Sequence, residues 1–281
     1  MITGTLPLAD APRDRMGSAW DFISPTRLNL WLKCPLAFKL RYVDGIKTPT
    51  TPTLFLGKRV HDALEMLYRH RQFGIEMGFE DLSTRISDSW EAAADEEHVD
   101  FATVDEAARL KNQAVGLVQA YVNQIDDGDE KPIAVETWLE ADLVDPATDE
   151  NLGMPLVGVV DLVYGGADGP VICDFKTAAK SSPPNEIQHE IQLGCYSYLY
   201  RQLAGAAESS LEIRSLIKTK SPKVAIHVYG PRTDSHIRRL FAVIRAYLDD
   251  LRAEQFVYRP GWSCSFCDYR NSHCRDWSGC A

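Results

Sequence analysis

Residues 158–177 read GVVDLVYGGADGPVICDFKT, and this stretch constrains the fold more than any other part of the sequence. Two apolar runs flank a segment of Gly, Ala and Asp, a pattern typical of a β-hairpin with a four- to five-residue turn. Each run nevertheless contains an acid, Asp161 or Asp174, and Lys176 follows the second. Because an unpaired charge in a buried strand is costly, these three side chains must have partners.

The rest of the chain predicts helices around such strands. Ser24-Pro25-Thr26 is typical of a helix start, since serine caps a helix and proline fits its first turn. Apolar residues at helical spacing predict helices at 55–71, 185–203 and 236–256, whereas alternating patterns predict strands at 134–144, 211–220 and 223–230. This order predicts an α/β fold with a mixed central sheet flanked by helices.

We divide the chain into five segments by composition and pattern. They are a loose N-terminus (1–20), an N-terminal helical region (21–75), an acidic helical insertion (76–130), a core with the hairpin (131–258) and a cysteine-rich tail (259–281). The proline-rich segment 47–53 is predicted to be a non-helical connector.

The net charge of −10 is unevenly distributed. Residues 27–71 and residues 201–245 each hold nine Lys/Arg against three Asp/Glu, while residues 76–108 hold eleven acids and one arginine. The two basic segments are candidates to line one nucleic-acid groove. They are equally compatible with ordinary solvent-exposed helix faces, so charge alone does not decide.

No apolar run approaches the length of a membrane span, and the first 17 residues contain no secretory apolar region. We therefore expect a cytoplasmic protein without a membrane partner. Four of the seven cysteines fall in the last 18 residues. In a reducing compartment such clustering favours a metal or cluster site over a disulfide framework.

Two carboxylates on neighbouring strands repel each other unless a cation lies between them, and oxygen ligands of this kind suit Mg²⁺ or Mn²⁺. Because side chains alternate along a strand, Asp174 and Lys176 are predicted to share one face. A lysine ammonium there can stabilise charge that develops at a phosphate. A plain surface salt bridge between Asp174 and Lys176 is the alternative, but it leaves Asp161 unexplained.

The motif order resembles the core of the PD-(D/E)XK nucleases, which have a restriction-endonuclease-like fold. It is most similar to the RecB-like branch, which includes CRISPR-adaptation nucleases and phage-type exonucleases. The matching motifs are Gly158 to Asp161, Asp174 to Lys176, the helical pair Gln192 and Tyr196, and the earlier helical His61. The acid before the lysine is Asp here, whereas Glu is commoner in the family.

The resemblance implies roles for these residues. His61, Asp161, Asp174 and the Phe175 carbonyl would hold the metal, and Lys176 would orient or activate the attacking water. Gln192 and Tyr196, one helical turn apart, would face the cleft. Gln188, a turn earlier on the same helix, is a rival for the role of Gln192.

The tail has the spacing CxxC-x6-C-x5-C, formed by Cys264, Cys267, Cys274 and Cys280. A local zinc site using all four is one interpretation. The resemblance implies another, in which Cys34 of the upstream Cys-Pro pair joins Cys264, Cys267 and Cys274 around a 4Fe–4S cluster. Cys173 and Cys195 lie in apolar runs and are predicted core residues.

The resemblance implies a metal-dependent deoxyribonuclease, an exonuclease acting on single-stranded DNA or DNA ends, with a basic channel and stacking aromatics. Candidate stacking residues are Trp31, Tyr42, Tyr196 and Trp262. Alternatives are a nuclease that works only with an integrase or recombination helicase in CRISPR adaptation or repair, a silent DNA-binding module, and a zinc-stabilised structural protein.

Overall fold

The structure, a computed structural model, describes residues 17–125, 132–180 and 186–277. Most of the predicted loose N-terminus, the end of the predicted insertion and Cys280 lie outside these ranges. The segment boundaries proposed from the sequence stay a prediction.

Helices and strands follow the predicted order. The helices are α1 (Pro25–Lys33), α2 (Pro35–Phe38, continued by a π-helical turn at Lys39–Val43), α3 (Pro52–Gln72), α4 (Phe79–Glu96), α5 (Val104–Val122), α6 (Glu186–Ala204) and α7 (Asp234–Arg252). The strands are β1 (Pro132–Val144), β2 (Asn151–Gly166), β3 (Gly169–Ala178), β4 (Ser210–Ile217) and β5 (Lys223–Tyr229). A short 3₁₀ helix covers Trp262–Phe266 in the tail.

The five strands form one mixed sheet in the order β1-β2-β3-β4-β5. β1, β2 and β3 are antiparallel neighbours, β3 and β4 are parallel, and β5 returns antiparallel to β4. The parallel pair requires a crossover, which α6 provides. The sheet therefore brings the hairpin strands to its centre, where helices cover both faces.

Two apolar cores separate the sheet from its helices. On one face, buried residues of α1, α6 and α7 pack against β2, β3 and β4, with Leu199 and Phe241 among the fully or nearly fully buried side chains. On the other face, α3, α4 and α5 bury Trp90 and Tyr121 against Leu162 and Phe175 of the hairpin. The acidic helices α4 and α5 thus form part of one layer of the fold.

Local details differ from the sequence-based expectation at two places. The hairpin turn is tighter than predicted, since Gly166 pairs directly with Gly169 and only two residues connect the strands. Gly169 adopts φ +129°, a conformation that side chains disfavour, so glycine permits the short turn. The connector before α3 is also shorter, because Thr51 caps that helix and Pro52 opens it.

We predict that Trp90→Ala lowers the free energy of unfolding by about 3–5 kcal/mol, because it leaves a cavity between α4 and α3. Trp90 is 2% exposed and meets the Phe55 ring edge-on at 4.9 Å. Urea unfolding followed by circular dichroism measures the change, with Trp262→Ala as the control because that indole is 83% exposed. Equal stabilities of the two variants would contradict the packing of α4 described above.

Candidate active site

Strands β2 and β3 separate at the two predicted aspartates. Their pairing ends at Leu162 opposite Cys173, and the next residues along each strand are Asp161 and Asp174. Beyond that point β3 remains paired with β4 as far as Ala178. The separation opens a cleft in the sheet, with one acid on each side.

Asp161 accepts a hydrogen bond from the β3 backbone that this separation leaves without a strand partner. The Phe175 N–H donates to Asp161 Oδ2 at 2.7 Å, in place of a ladder bond to β2. Because the N–H and C=O of one strand residue point to the same edge, the Phe175 carbonyl also faces the gap. The Phe175 ring is buried between Tyr68 and Tyr121. This backbone placement is compatible with the predicted role of the Phe175 carbonyl, which stays a prediction.

Asp174 is only 2% exposed and is held at both oxygens. The Gln192 amide donates to Oδ1 at 2.6 Å, and the Lys176 ammonium lies 2.5 Å from Oδ2. Asp174 and Lys176 therefore share a face, as the strand period predicts. Their ion pair is buried on the aspartate side, so the alternative of a surface salt bridge is wrong.

Helix α6 supplies the polar residues above the cleft. The Gln192 Nε2 donates to the Tyr196 hydroxyl at 2.9 Å as well as to Asp174. α6 approaches β2 closely at Gly158, where an added Cβ would lie 3.0 Å from Leu199 and 3.2 Å from Tyr196. Any larger residue there would have to displace the Leu199 or Tyr196 side chain by a few tenths of an ångström. The rival Gln188 is exposed, and within the described chain Gln192 makes the contact to Asp174.

His61 projects from α3 on the far side of Asp161. Its Nδ1 lies 3.7 Å from Asp161 Oδ2, which is beyond hydrogen-bond distance. The imidazole ring also meets Phe175 edge-on. His61, Asp161, Asp174, Lys176 and Gln192 thus come from four elements and converge on one cleft.

Burial and like charge dominate the electrostatics of this cleft. Burial and the neighbouring Asp174 together raise the pKa of Asp161 to about 6, against the opposing effects of His61 and Lys176. Burial alone would lower the pKa of Lys176, but Asp174 and Asp161 outweigh it and raise that pKa. The lysine is therefore a cation at neutral pH. Burial also raises the pKa of Tyr196, so its hydroxyl stays protonated.

Glu136 is a further acid at the cleft that was not among the site residues predicted from the sequence. The register places Glu136 opposite Asp161, between the pairs Val135–Leu162 and Thr137–Val160. Its φ of +41° is left-handed, which is unusual for glutamate and typical of irregular strand positions beside active sites. Burial raises the Glu136 pKa to about 8, with further contributions from Asp161 and from two acids of α3. The pattern AVETWLE contains the glutamate but gives no sign of this backbone conformation.

The donor set of the cleft fits a hard divalent cation. Asp161 and Asp174 are like charges in each other's field, and the Lys176 ammonium contacts Asp174 alone, so the pair is left with an excess of negative charge. Two carboxylates, a carbonyl and an imidazole suit Mg²⁺ or Mn²⁺. In the described ranges, however, no three His, Cys, Asp or Glu side chains already form a closed ligand group for one ion.

The four predicted cluster cysteines lie in one region where the tail meets α1 and α2. The Arg259 N–H donates to Cys34 Sγ at 3.5 Å, which brings the tail backbone to the N-terminal cysteine. Burial raises the pKa of Cys274, and Cys34, Cys267 and Cys264 add to that effect. All four thiols are free. Cys280 lies outside the described residues, so its rivalry with Cys34 stays open.

Two other sets of sequence predictions can be located. Cys173 and Cys195 are buried, which confirms them as core residues. Of the candidate stacking aromatics, Trp31 is 6% exposed and its indole donates to Asp250, so it is a core residue. Tyr196 is buried against Gly158, whereas Trp262 is fully available to solvent.

Comparison with known proteins agrees with this geometry. The family model of the PD-(D/E)XK nuclease superfamily matches residues 23–275. The chain belongs to the PD-(D/E)XK nuclease superfamily. The match covers all the site residues named above, and the predicted restriction-endonuclease-like fold class is confirmed.

Solved structures show the same fold. A candidate exonuclease from Eubacterium rectale superimposes with a TM-score of 0.60 and 14% sequence identity, over 97% of this chain and 96% of its own. The protein SSO0001 is 15% identical over 88% of this chain and 93% of its own, but its TM-score of 0.38 is too low to support an argument. No curated protein matches the sequence.

The resemblance to the iron–sulfur, RecB-like branch is not decided by these matches, and it stays a prediction. Among the described residues, no helix combines the length and apolar character needed to cross a bilayer.

We predict that Glu136→Gln stabilises the metal-free PD-(D/E)XK fold at about pH 8.5, by more than about 1 kcal/mol. The pKa of Glu136 is about 8 in the folded protein, against 4.5 for an ordinary glutamate. Below pH 4.5 the carboxyl is neutral in both the folded and the unfolded chain. As pH rises from 4.5 to 8, ionisation increasingly favours the unfolded chain, so the contribution of Glu136 to stability is lost over this range. Glutamine stays neutral throughout. Urea unfolding in EDTA across this range measures the difference, and a gain that does not grow with pH would count against the assignment.

Proposed function

We propose that the protein is a metal-dependent deoxyribonuclease, an exonuclease that acts on single-stranded DNA or on DNA ends. The observation that supports this most directly is the convergence of Asp161, Asp174, Lys176, Gln192 and His61 on one cleft of a PD-(D/E)XK fold. In this proposal Asp161, Asp174, His61 and the Phe175 carbonyl hold Mg²⁺ or Mn²⁺. The bound cation would supply Lewis-acid stabilisation of the phosphate and a more acidic water.

The chain's own residues then have separable roles. Lys176 keeps its proton, so its ammonium acts as an electrostatic group that orients the attacking water and stabilises charge developing on the phosphate oxygens. Gln192 fixes the orientation of Asp174 through one hydrogen bond and positions itself on Tyr196 through another. The buried Phe175 ring fixes the strand that carries both charged groups.

DNA is proposed as substrate because the cleft combines an acid pair that can bind a cation with a cationic lysine. Hydrolysis of a phosphodiester requires both kinds of group. The two basic segments of the sequence support binding of a charged backbone without base readout. The exposed Trp262 is available to stack on an unpaired base. The candidate exonuclease from Eubacterium rectale shares the fold, which is compatible with this proposal.

A nuclease that requires a partner is the second candidate, with an integrase or a recombination helicase as the partner. Helix α4 favours it to this extent: it carries exposed acids, which include Glu80, Asp88 and Glu91. A silent DNA-binding module is disfavoured, because Asp161, Asp174 and Lys176 are all present and in contact or in each other's field.

We further propose that Cys34, Cys264, Cys267 and Cys274 bind a 4Fe–4S cluster that joins the tail to the N-terminal helices. Support comes from the four free thiols that influence one another's charge at this junction. The contact of the Arg259 N–H with Cys34 Sγ supports the inclusion of Cys34, because it brings the tail backbone to the N-terminal cysteine. Free thiols also suit a reducing cytoplasm.

Removal of the proposed catalytic groups should abolish cleavage. We expect Asp174→Ala and Lys176→Ala each to reduce the cleavage rate at least about a hundredfold, because each removes charge at the reacting phosphate. End-labelled single- and double-stranded DNA with Mn²⁺ or Mg²⁺ provides the assay, and the product ladder gives polarity. Asp88→Ala and Lys111→Ala, on α4 and α5, are the matched controls.

If the wild type cleaves nothing by itself, the partner-dependent candidate replaces the exonuclease. If Asp174→Ala cleaves as fast as the wild type, the proposed site is wrong.

Exchange of single cysteines tests the cluster. We expect Cys34→Ser to lose bound iron and the visible absorbance of the protein purified without oxygen, while Cys280→Ser keeps both. Iron and zinc contents are measured on the same samples. Zinc instead of iron, lost in Cys280→Ser and kept in Cys34→Ser, would establish the local zinc site in the tail.

A further inference from the structure

Two histidines beside Asp174 have no role in the site described so far. The strand register places Asp174 opposite Ile213 on β4, and Ile213 opposite His227 on β5. Directly paired residues project from the same face of a sheet. His227 therefore lies on the same face as Asp174, two strands away, at a separation of about 10 Å.

The second histidine, His189, comes from the first turn of α6. It precedes Gln192 by three residues, so both lie on the same side of the helix, and Gln192 reaches down to Asp174. Burial lowers the pKa of His189, Lys176 and His227 lower it further, and the Asp174 carboxylate opposes them. His189 thus lies in the electrostatic field of both the catalytic lysine and the β5 histidine.

The surface between these groups is open. In the next row of the sheet, Lys176 is opposite Ser215, and Ser215 is opposite Ala225. Both small residues are partly exposed, so the described helices do not cover them completely. The Ser215 hydroxyl has no hydrogen-bond partner among the described residues. We call the surface formed by His189, Ser215 and His227 the histidine shelf.

The acids nearest the shelf along the chain already have partners. Glu186 pairs with Arg232 at 2.7 Å, and Glu190 pairs with Arg239 at 2.6 Å. Asp174 pairs with Lys176. Asp174 acts on His189 through its charge, but neither His189 nor His227 has an ion-pair partner among the described residues.

The opposite side of the cleft carries acids of β1, β2 and α3. Glu136 lies in the field of Asp161 and of two α3 acids, and Arg69 opposes them. Both α3 acids have arginine partners, since Glu65 pairs with Arg69 at 2.7 Å and Asp62 pairs with Arg59 at 3.0 Å. The two sides thus differ in kind, with carboxylates on one side and imidazoles and a hydroxyl on the other.

We propose that the histidine shelf binds the phosphate adjacent to the scissile phosphate of a nucleic-acid strand. This inference rests on the proposed nuclease function and adds the path that the bound strand takes out of the cleft. The strand leaves the cleft across α6 and β5, away from Glu136. His189, His227 and the Ser215 hydroxyl donate to oxygens of the flanking phosphate.

The test combines a protein change with a substrate change. The probes are fluorescein-labelled oligothymidylates that each carry one neutral methylphosphonate linkage at a different position, with Ca²⁺ in place of the activating metal. In the wild type, a neutral linkage beside the scissile position should raise Kd about tenfold. In the His189→Gln/His227→Gln double variant, the native oligothymidylate should bind about tenfold more weakly, and the same neutral linkage should have little further effect.

His98→Asn, an exposed histidine at the end of α4, is the matched control, and Ser215→Ala is a milder second variant. The proposal that the shelf binds phosphate is wrong if the double variant binds as tightly as the wild type. It is also wrong if the neutral linkage still raises the Kd of the double variant about tenfold. Both results leave the nuclease proposal intact. A wild type that neither binds nor cleaves the oligonucleotides overturns both.

Discussion

The hydrogen bond from the Phe175 N–H to Asp161 determines how the rest of the site is arranged. A strand that leaves its neighbour exposes backbone groups whose burial without partners costs free energy. Here a carboxylate from the departing strand accepts the exposed N–H. The sheet can therefore open at its centre without an orphaned donor, and the opening places a carbonyl and two acids around one space.

The same arrangement explains why the site requires helices on both faces. Asp174 and Lys176 project toward α6, where Gln192 holds the aspartate, whereas Phe175 projects toward α3 and α5. His61 reaches Asp161 from the α3 side. Successive residues of the Asp-Phe-Lys run thus depend on opposite layers, so packing in either core influences the geometry of the cleft.

Sequence reasoning recovered those parts of the fold that depend on period and short-range spacing. The strand period placed Asp174 and Lys176 together, and the helical period placed Gln192 and Tyr196 on one side of α6. The tight turn at Gly166 and Gly169 was missed because three glycines within the five residues GGADG allow several loop lengths. Glu136 was missed for another reason: its left-handed backbone arises from pairing with a distant strand, and its own neighbours in the sequence do not encode it.

The contact between Arg259 and Cys34 has a consequence for the order of folding. The two residues are separated by 225 positions, and the Arg259 side chain also donates to the Leu32 carbonyl. During synthesis on the ribosome, the N-terminal helices emerge long before their partner segment exists. The strands and α6 can assemble the cleft while this junction is still open, because Arg259 follows all of them in the chain.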